Sequence, residues 1–110
     1  MIRLALAALL LLTVACGDDP PNVGATCTAT SGCDEGLTCN TAAAGGYCTQ
    51  ACTMPGETTE CPEGSLCDGV IGAATECVKI CEKASDCRAD QDCNGTTGGS
   101  TKACKPKAAQ

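Results

Sequence analysis

The chain has no histidine, no tryptophan and no phenylalanine, and its one tyrosine is Tyr47. Without histidine, Ser-His and Cys-His nucleophile pairs have no base, and the usual proton shuttle near neutral pH is missing. Without large aromatic rings, a core has little to fill it. Past Cys16 the large apolar residues are only Val23, Leu37, Tyr47, Met54, Leu66, Val70, Ile71, Val78 and Ile80. A conventional core cannot hold such a chain; covalent bridges have to. Basic residues are scarce too, 7 against 13 acidic ones, a formal charge of −6. Removing Met1–Ala15 takes away Arg3 and leaves −7. That balance excludes a nucleic-acid partner and electrostatic attraction to anionic lipid. Adjacent acids such as Asp34-Glu35 read as a solvated turn, and no cofactor is expected. The expectation is a protein that is not an enzyme.

What the chain has is cysteine, 13 in 110 residues. From Cys27 the gaps between cysteines are 5, 5, 8 and 3; from Cys52 they are 8, 5, 9 and 3; from Cys81 they are 5, 5 and 10. That is three repeats of four, covering 27–48, 52–77 and 81–104. Four cysteines allow three pairings per repeat, and sequence alone does not choose among them. The working pairing joins first to third and second to fourth: Cys27–Cys39, Cys33–Cys48, Cys52–Cys67, Cys61–Cys77, Cys81–Cys93 and Cys87–Cys104. No C-x-x-C occurs, and an exported chain meets an oxidising compartment, so disulfides are expected rather than thiolate-bound metal. The fold class expected is small and disulfide-rich: tandem four-Cys modules with short β-hairpins and little helix.

Positions inside the gaps repeat as well. Three residues after each second cysteine stand Gly36, Gly64 and Asp90, residue types that tolerate positive φ and so mark tight turns. One residue after each third cysteine stand Asn40, Asp68 and Asn94, which suit Asx-turns. The Gly- and Ala-rich gap before each fourth cysteine reads as a hairpin loop. Helix is expected only as a turn or so near Glu82–Asp86.

Met1-Ile2-Arg3 is a short basic start, Leu4–Leu12 contains only Leu and Ala, and Thr13-Val14-Ala15 is a small-residue exit. Residues 1–15 therefore read as a secretory signal peptide, too short to span a membrane uncut. Thr13-Val14-Ala15-Cys16 resembles the lipobox of bacterial lipoproteins, in which the cysteine thiol is diacylated and becomes the new N-terminus. Parity agrees: the repeats use twelve cysteines, and Cys16 is the thirteenth. By the same resemblance, Gly17 after the cysteine implies export to the outer membrane of a Gram-negative bacterium; plain secretion is the alternative. Gly17–Thr26, with Pro20-Pro21, reads as a flexible tether, so that 16–26 anchors the domain 27–104, and 105–110 is a C-terminal tail.

The run C-x5-C-x5-C-x8-C, with S-G-C-D-E-G-L-T-C in the first repeat and S-D-C-R-A-D-Q-D-C in the third, resembles the N-terminal cysteine-rich domain of the Dickkopf family. Similar repeats occur in bacterial cysteine-rich lipoproteins. The middle repeat departs, with 8 residues where 5 are expected, and the adjacent Cys-Cys pair and colipase-like domain of Dickkopf proteins are absent. The resemblance implies a small extracellular binding module with an unidentified protein or surface ligand. Two other chemistries compete. Asp90-x-Asp92-x-Asn94-Gly95 matches the first half of a calcium loop, but Thr101 stands where the bidentate Glu belongs, so an acidic Asx-turn is preferred. Small disulfide scaffolds also present rigid loops to proteases, here Thr53–Glu60 or Asn94–Ala103. Asn94-Gly95-Thr96 fits an N-glycosylation acceptor by chance composition.

Overall fold

A computed structural model describes residues 20–72 and 74–107. Each repeat closes on one antiparallel hairpin: β1 (Thr38–Cys39) with β2 (Cys48–Thr49), β3 (Ser65–Asp68) with β4 (Glu76–Cys81), and β5 (Gln91–Thr96) with β6 (Gly99–Pro106). One 3₁₀ turn, Ala84–Asp86, is the only helical element among the described residues, within the stretch the sequence marks for a turn. No helix there is long and apolar enough to cross a membrane. This is a small disulfide-rich fold.

The hairpins place the third and fourth cysteines of each repeat opposite one another: Cys39 faces Cys48, Cys67 faces Cys77, and Cys93 faces Cys104. They do not bond each other. In each repeat the first cysteine reaches the third and the second reaches the fourth, giving Cys27–Cys39, Cys33–Cys48, Cys52–Cys67, Cys61–Cys77, Cys81–Cys93 and Cys87–Cys104. Their Cα atoms are 5.4 to 6.0 Å apart, the span a disulfide needs. The chain ahead of each hairpin is thus stapled to one strand and then the other.

The three-residue spacers between repeats do the stacking. Thr49-Gln50-Ala51 runs beside the start of β4: the Cys77 N–H donates to the Gln50 carbonyl (2.8 Å) and the Cys52 N–H to the Thr75 carbonyl (3.2 Å). Val78-Lys79-Ile80 lies within β4, which pairs with β6 through Ile80–Ala103 and Cys81–Lys102. The last strand of each repeat therefore lies against the last strand of the next, and the larger sheet has the order β3-β4-β6-β5.

The core is built as much from sulfur as from hydrocarbon. Tyr47, Leu66 and Val78 are fully buried alongside Cys48, Cys67, Cys77 and Cys104, with Val23, Ala43, Val70 and Ala103 around them. Of the nine large apolar residues, Leu37 and Ile80 are half-buried, and Met54 and Ile71 are exposed. The buried Thr49 hydroxyl donates to the Cys77 carbonyl (2.6 Å), which offsets its desolvation.

Both ends differ from the reading of a tether and a tail. Over 20–26 the chain is docked rather than loose. Val23 is buried, the Gly24 N–H donates to the Cys48 carbonyl (2.8 Å), and the Cys48 N–H donates to the Ala25 carbonyl (3.1 Å). Composition without a hydrophobic period suggested a linker; partners far along the chain supply the order instead. Likewise β6 runs on to Pro106, and the Lys107 N–H donates to the Asp90 carbonyl (3.1 Å), so 105–107 belong to the sheet region. The signal peptide 1–15, Cys16 and Gly17–Asp19 lie outside the described residues, as do 108–110.

Candidate binding surface

Arg88 ties the first repeat to the third. Its Nη1 donates to the carbonyls of Gly24 (3.0 Å) and Gly46 (2.8 Å), and its Nη2 donates to that of Ala44 (3.0 Å). Its Nε and Nη2 also grip both oxygens of Asp90, at 2.9 and 2.7 Å. The planar guanidinium can satisfy three carbonyls and a carboxylate at once, which a lysine cannot. Gln91 donates to the same Gly24 carbonyl (3.0 Å). The hydrogen bonds from Arg88, aided by its charge, hold the Asp90 carboxyl below the usual range. Nothing in the sequence marks Arg88 for this role, because its three carbonyl partners lie more than 40 positions away.

The second repeat presents a loop that the sequence flagged, Thr53–Glu60. The Glu60 carboxylate folds back to accept the backbone N–H groups of Thr53 (2.9 Å) and Met54 (2.8 Å) and the Thr53 hydroxyl (3.0 Å). These bonds, led by the Thr53 N–H, hold the Glu60 carboxyl below its ordinary value. The loop is laid against β3, with the Gly56 N–H donating to the Cys67 carbonyl (2.7 Å) and the Cys67 N–H to the Glu57 carbonyl (2.8 Å). Cys52 and Cys61 anchor its two ends. Met54 stands on this rigid base 47% exposed. A loop ordered in advance loses little freedom when a partner covers it.

The other candidate positions are placed as follows. Gly36 and Gly64 take positive φ, 89° and 82°, at the expected turns; Asp90 sits in a turn with no positive φ. Asn40 forms the expected Asx-turn, its Oδ1 accepting the Ala42 N–H (3.0 Å). Asp68 and Asn94 do not, because both lie in strands; Asp68 instead pairs with Lys105 (3.0 Å). The calcium candidates are not brought together as a loop. Asp92 and Asn94 are in extended β5, Gly95 continues it, and Asp90 is occupied by Arg88. Asn94–Ala103 is no open loop either: most of it is paired strand, with Thr97 and Gly98 between the strands. Asp34 is tied to Asn22, its N–H donating to Asn22 Oδ1 (2.8 Å) and its Oδ2 accepting the Asn22 N–H (3.0 Å).

Sulfur atoms cluster in every repeat. Those of Cys27, Cys33 and Cys39, of Cys52, Cys61 and Cys77, and of Cys81, Cys87 and Cys104 lie within 4.8 Å of one another. All are joined in disulfides, so none carries the thiolate charge a metal ligand needs. Two surface hollows complete the description. A groove of about 460 Å³ runs between the N-terminal segment and the end of β4, and a cleft of about 580 Å³ lies beside Ala42, Ala44, Ile71 and Pro106. No protein family, curated protein or solved structure matches the chain.

Proposed function

We propose that the protein is a non-enzymatic, lipid-anchored lipoprotein of the cell envelope, exported to the outer membrane of a Gram-negative bacterium, whose disulfide-rich domain acts by binding or as structure. One observation carries the reading. All twelve cysteines of the repeats are consumed by one another, so the thirteenth, Cys16, has no cysteine left to pair with. A lone thiol is a liability where thiols oxidise, and a thioether to lipid removes it. Cys16 also follows directly on the apolar leader and its small-residue exit. Several acyl chains, at about 0.8 kcal/mol per buried CH₂, give firm anchoring. The absence of histidine supports a binding rather than a catalytic role.

The test is an intact mass of the protein extracted from membranes, with and without reductant. The expected masses begin at Cys16, carry acyl groups, and rise by twelve hydrogens on reduction. A mass starting at Cys16 or beyond without lipid would leave plain secretion.

A second reading is favoured by the geometry of the Thr53–Glu60 loop: a surface inhibitor that offers Met54 to an apolar specificity pocket. Assayed against trypsin-, subtilisin- and papain-like proteases, the chain would inhibit an enzyme with an apolar pocket, and Met54→Ala would abolish that inhibition. Inhibition unchanged by Met54→Ala, or none across the panel, rules this reading out.

A further inference from the structure

We propose that the domain is docked on the bilayer in one orientation, with the groove lined by Pro20, Pro21, Glu63, Gly64, Lys79 and Ile80 turned toward the lipid headgroups. This rests on acylation of Cys16 and adds an orientation to it. Ten residues separate Cys16 from Cys27. As free chain they would reach roughly 35 Å and let the domain turn any face to the membrane. The fold removes most of that length. Val23 is buried in the core, and Gly24 and Ala25 are bonded to Cys48. Asn22 is held by Asp34 and by the Gly32 carbonyl (2.8 Å). From Cys16 to Pro20 there are four peptide steps, at most about 14 Å when fully extended. A domain of this size is roughly 30 Å across. A leash half as long as the body it holds, fixed at one pole, keeps that pole on the surface.

The pole is the groove. Pro20 and Pro21 form one wall, and the start of the β3–β4 hairpin forms the other, where the Ile80 N–H donates to the Gly64 carbonyl (2.9 Å). The same hairpin provides a ruler. Its strands run from Ser65–Lys79 at the groove to Asp68–Glu76, and Ile71 lies in the loop beyond, at the far end. The mature chain is acidic, so charge does not draw it to lipid; the short leash imposes the contact. Docking therefore holds on zwitterionic vesicles and at high salt.

Because the chain has no tryptophan, one introduced tryptophan reports alone. Acylated protein carrying Glu63→Trp or Ile71→Trp is reconstituted in phosphatidylcholine vesicles containing a dansyl-headgroup lipid, and energy transfer is read as loss of tryptophan emission. Both positions are exposed, Ile71 at 41%, so neither change disturbs the core. The expected result is a larger loss for Glu63→Trp than for Ile71→Trp, unchanged by salt. Equal losses would mean the domain tumbles freely, and a larger loss at Ile71→Trp would mean another face is down; either overturns the proposal. Inserting about ten Gly and Ser residues after Asp18 restores a flexible reach and removes the difference. A difference that survives the insertion refutes the leash as its cause. The mass of the same sample separates the two claims: absent acylation overturns the anchored reading, whereas acylated protein with equal losses overturns only the docking.

Discussion

Full reduction of the six disulfides unfolds the domain at neutral pH. The bridges join residues 12 to 17 positions apart, and each such closure is worth about 3 kcal/mol in the chain-entropy account. Native domains are stable by only about 5–15 kcal/mol, so losing even half of these contributions is decisive. The apolar side cannot compensate. Only Tyr47, Leu66 and Val78 among the large apolar residues are fully buried, and the cysteines packed against them are part of the same core. The bridges from Cys33, Cys52, Cys61 and Cys87 weigh most, since each ends on a fully buried cysteine, at Cys48, Cys67, Cys77 or Cys104. Reduction leaves thiols there in place of the staple that holds the hairpin to the preceding turn. The check is amide shift dispersion on a sample whose mass proves twelve added hydrogens. A fully reduced protein that kept its dispersion would mean the sheet stands without its bridges.

The cysteine spacing made the repeat architecture legible. Covalent bridges act over short, regular intervals, so their signal survives in sequence even where hydrophobic periodicity is too sparse to read. The glycine-rich gaps gave the hairpins for a similar local reason: Gly45, Gly46 and Gly72 take positive φ there, a backbone conformation that few other residues accept. Local rules failed where repeats diverge. Asn40, Asp68 and Asn94 hold equivalent positions, yet only Asn40 turns the chain, because β3 and β5 extend past their third cysteines and β1 does not. The calcium pattern failed for the same reason, since extended β5 spreads residues that a binding loop would gather. Arg88 and the docked segment 20–26 were hidden because their order comes from partners in another repeat. Glu60 was partly visible: its loop was marked, but nothing in the sequence said that its carboxylate would bind the loop's own amides.

Tyr47 titrates near pH 12 in the oxidised protein and near 10 once the fold is lost. Its ring is fully buried, and its hydroxyl donates to the Cys104 carbonyl (2.6 Å) while accepting the Lys79 N–H (3.0 Å). One phenol in the first repeat thus pins the spacer before the third repeat and that repeat's last cysteine. Burial pushes the phenol up to about 12, against the opposing pull of the Lys79 N–H and the Arg88 charge. Below the unfolded value of about 10, both states keep the proton and the contribution to stability is fully present. Between about 10 and 12 the unfolded chain releases the proton first, so stability falls as pH rises. Two units amount to about 3 kcal/mol lost by the time the folded phenol ionises. Tyr47 is the only aromatic residue, so tyrosinate absorbance reports this one site without deconvolution. Tyr47→Phe keeps the ring but removes both hydrogen bonds in a buried place, costing about 1–3 kcal/mol. Tyr47→Ala also empties the centre of the core, and costs about 3–5 kcal/mol on the scale of aromatic truncations. A folded, oxidised protein whose absorbance rises with a midpoint at the ordinary value would show a solvated phenol. The cross-repeat pin would then have to be sought in Arg88 and Gln91.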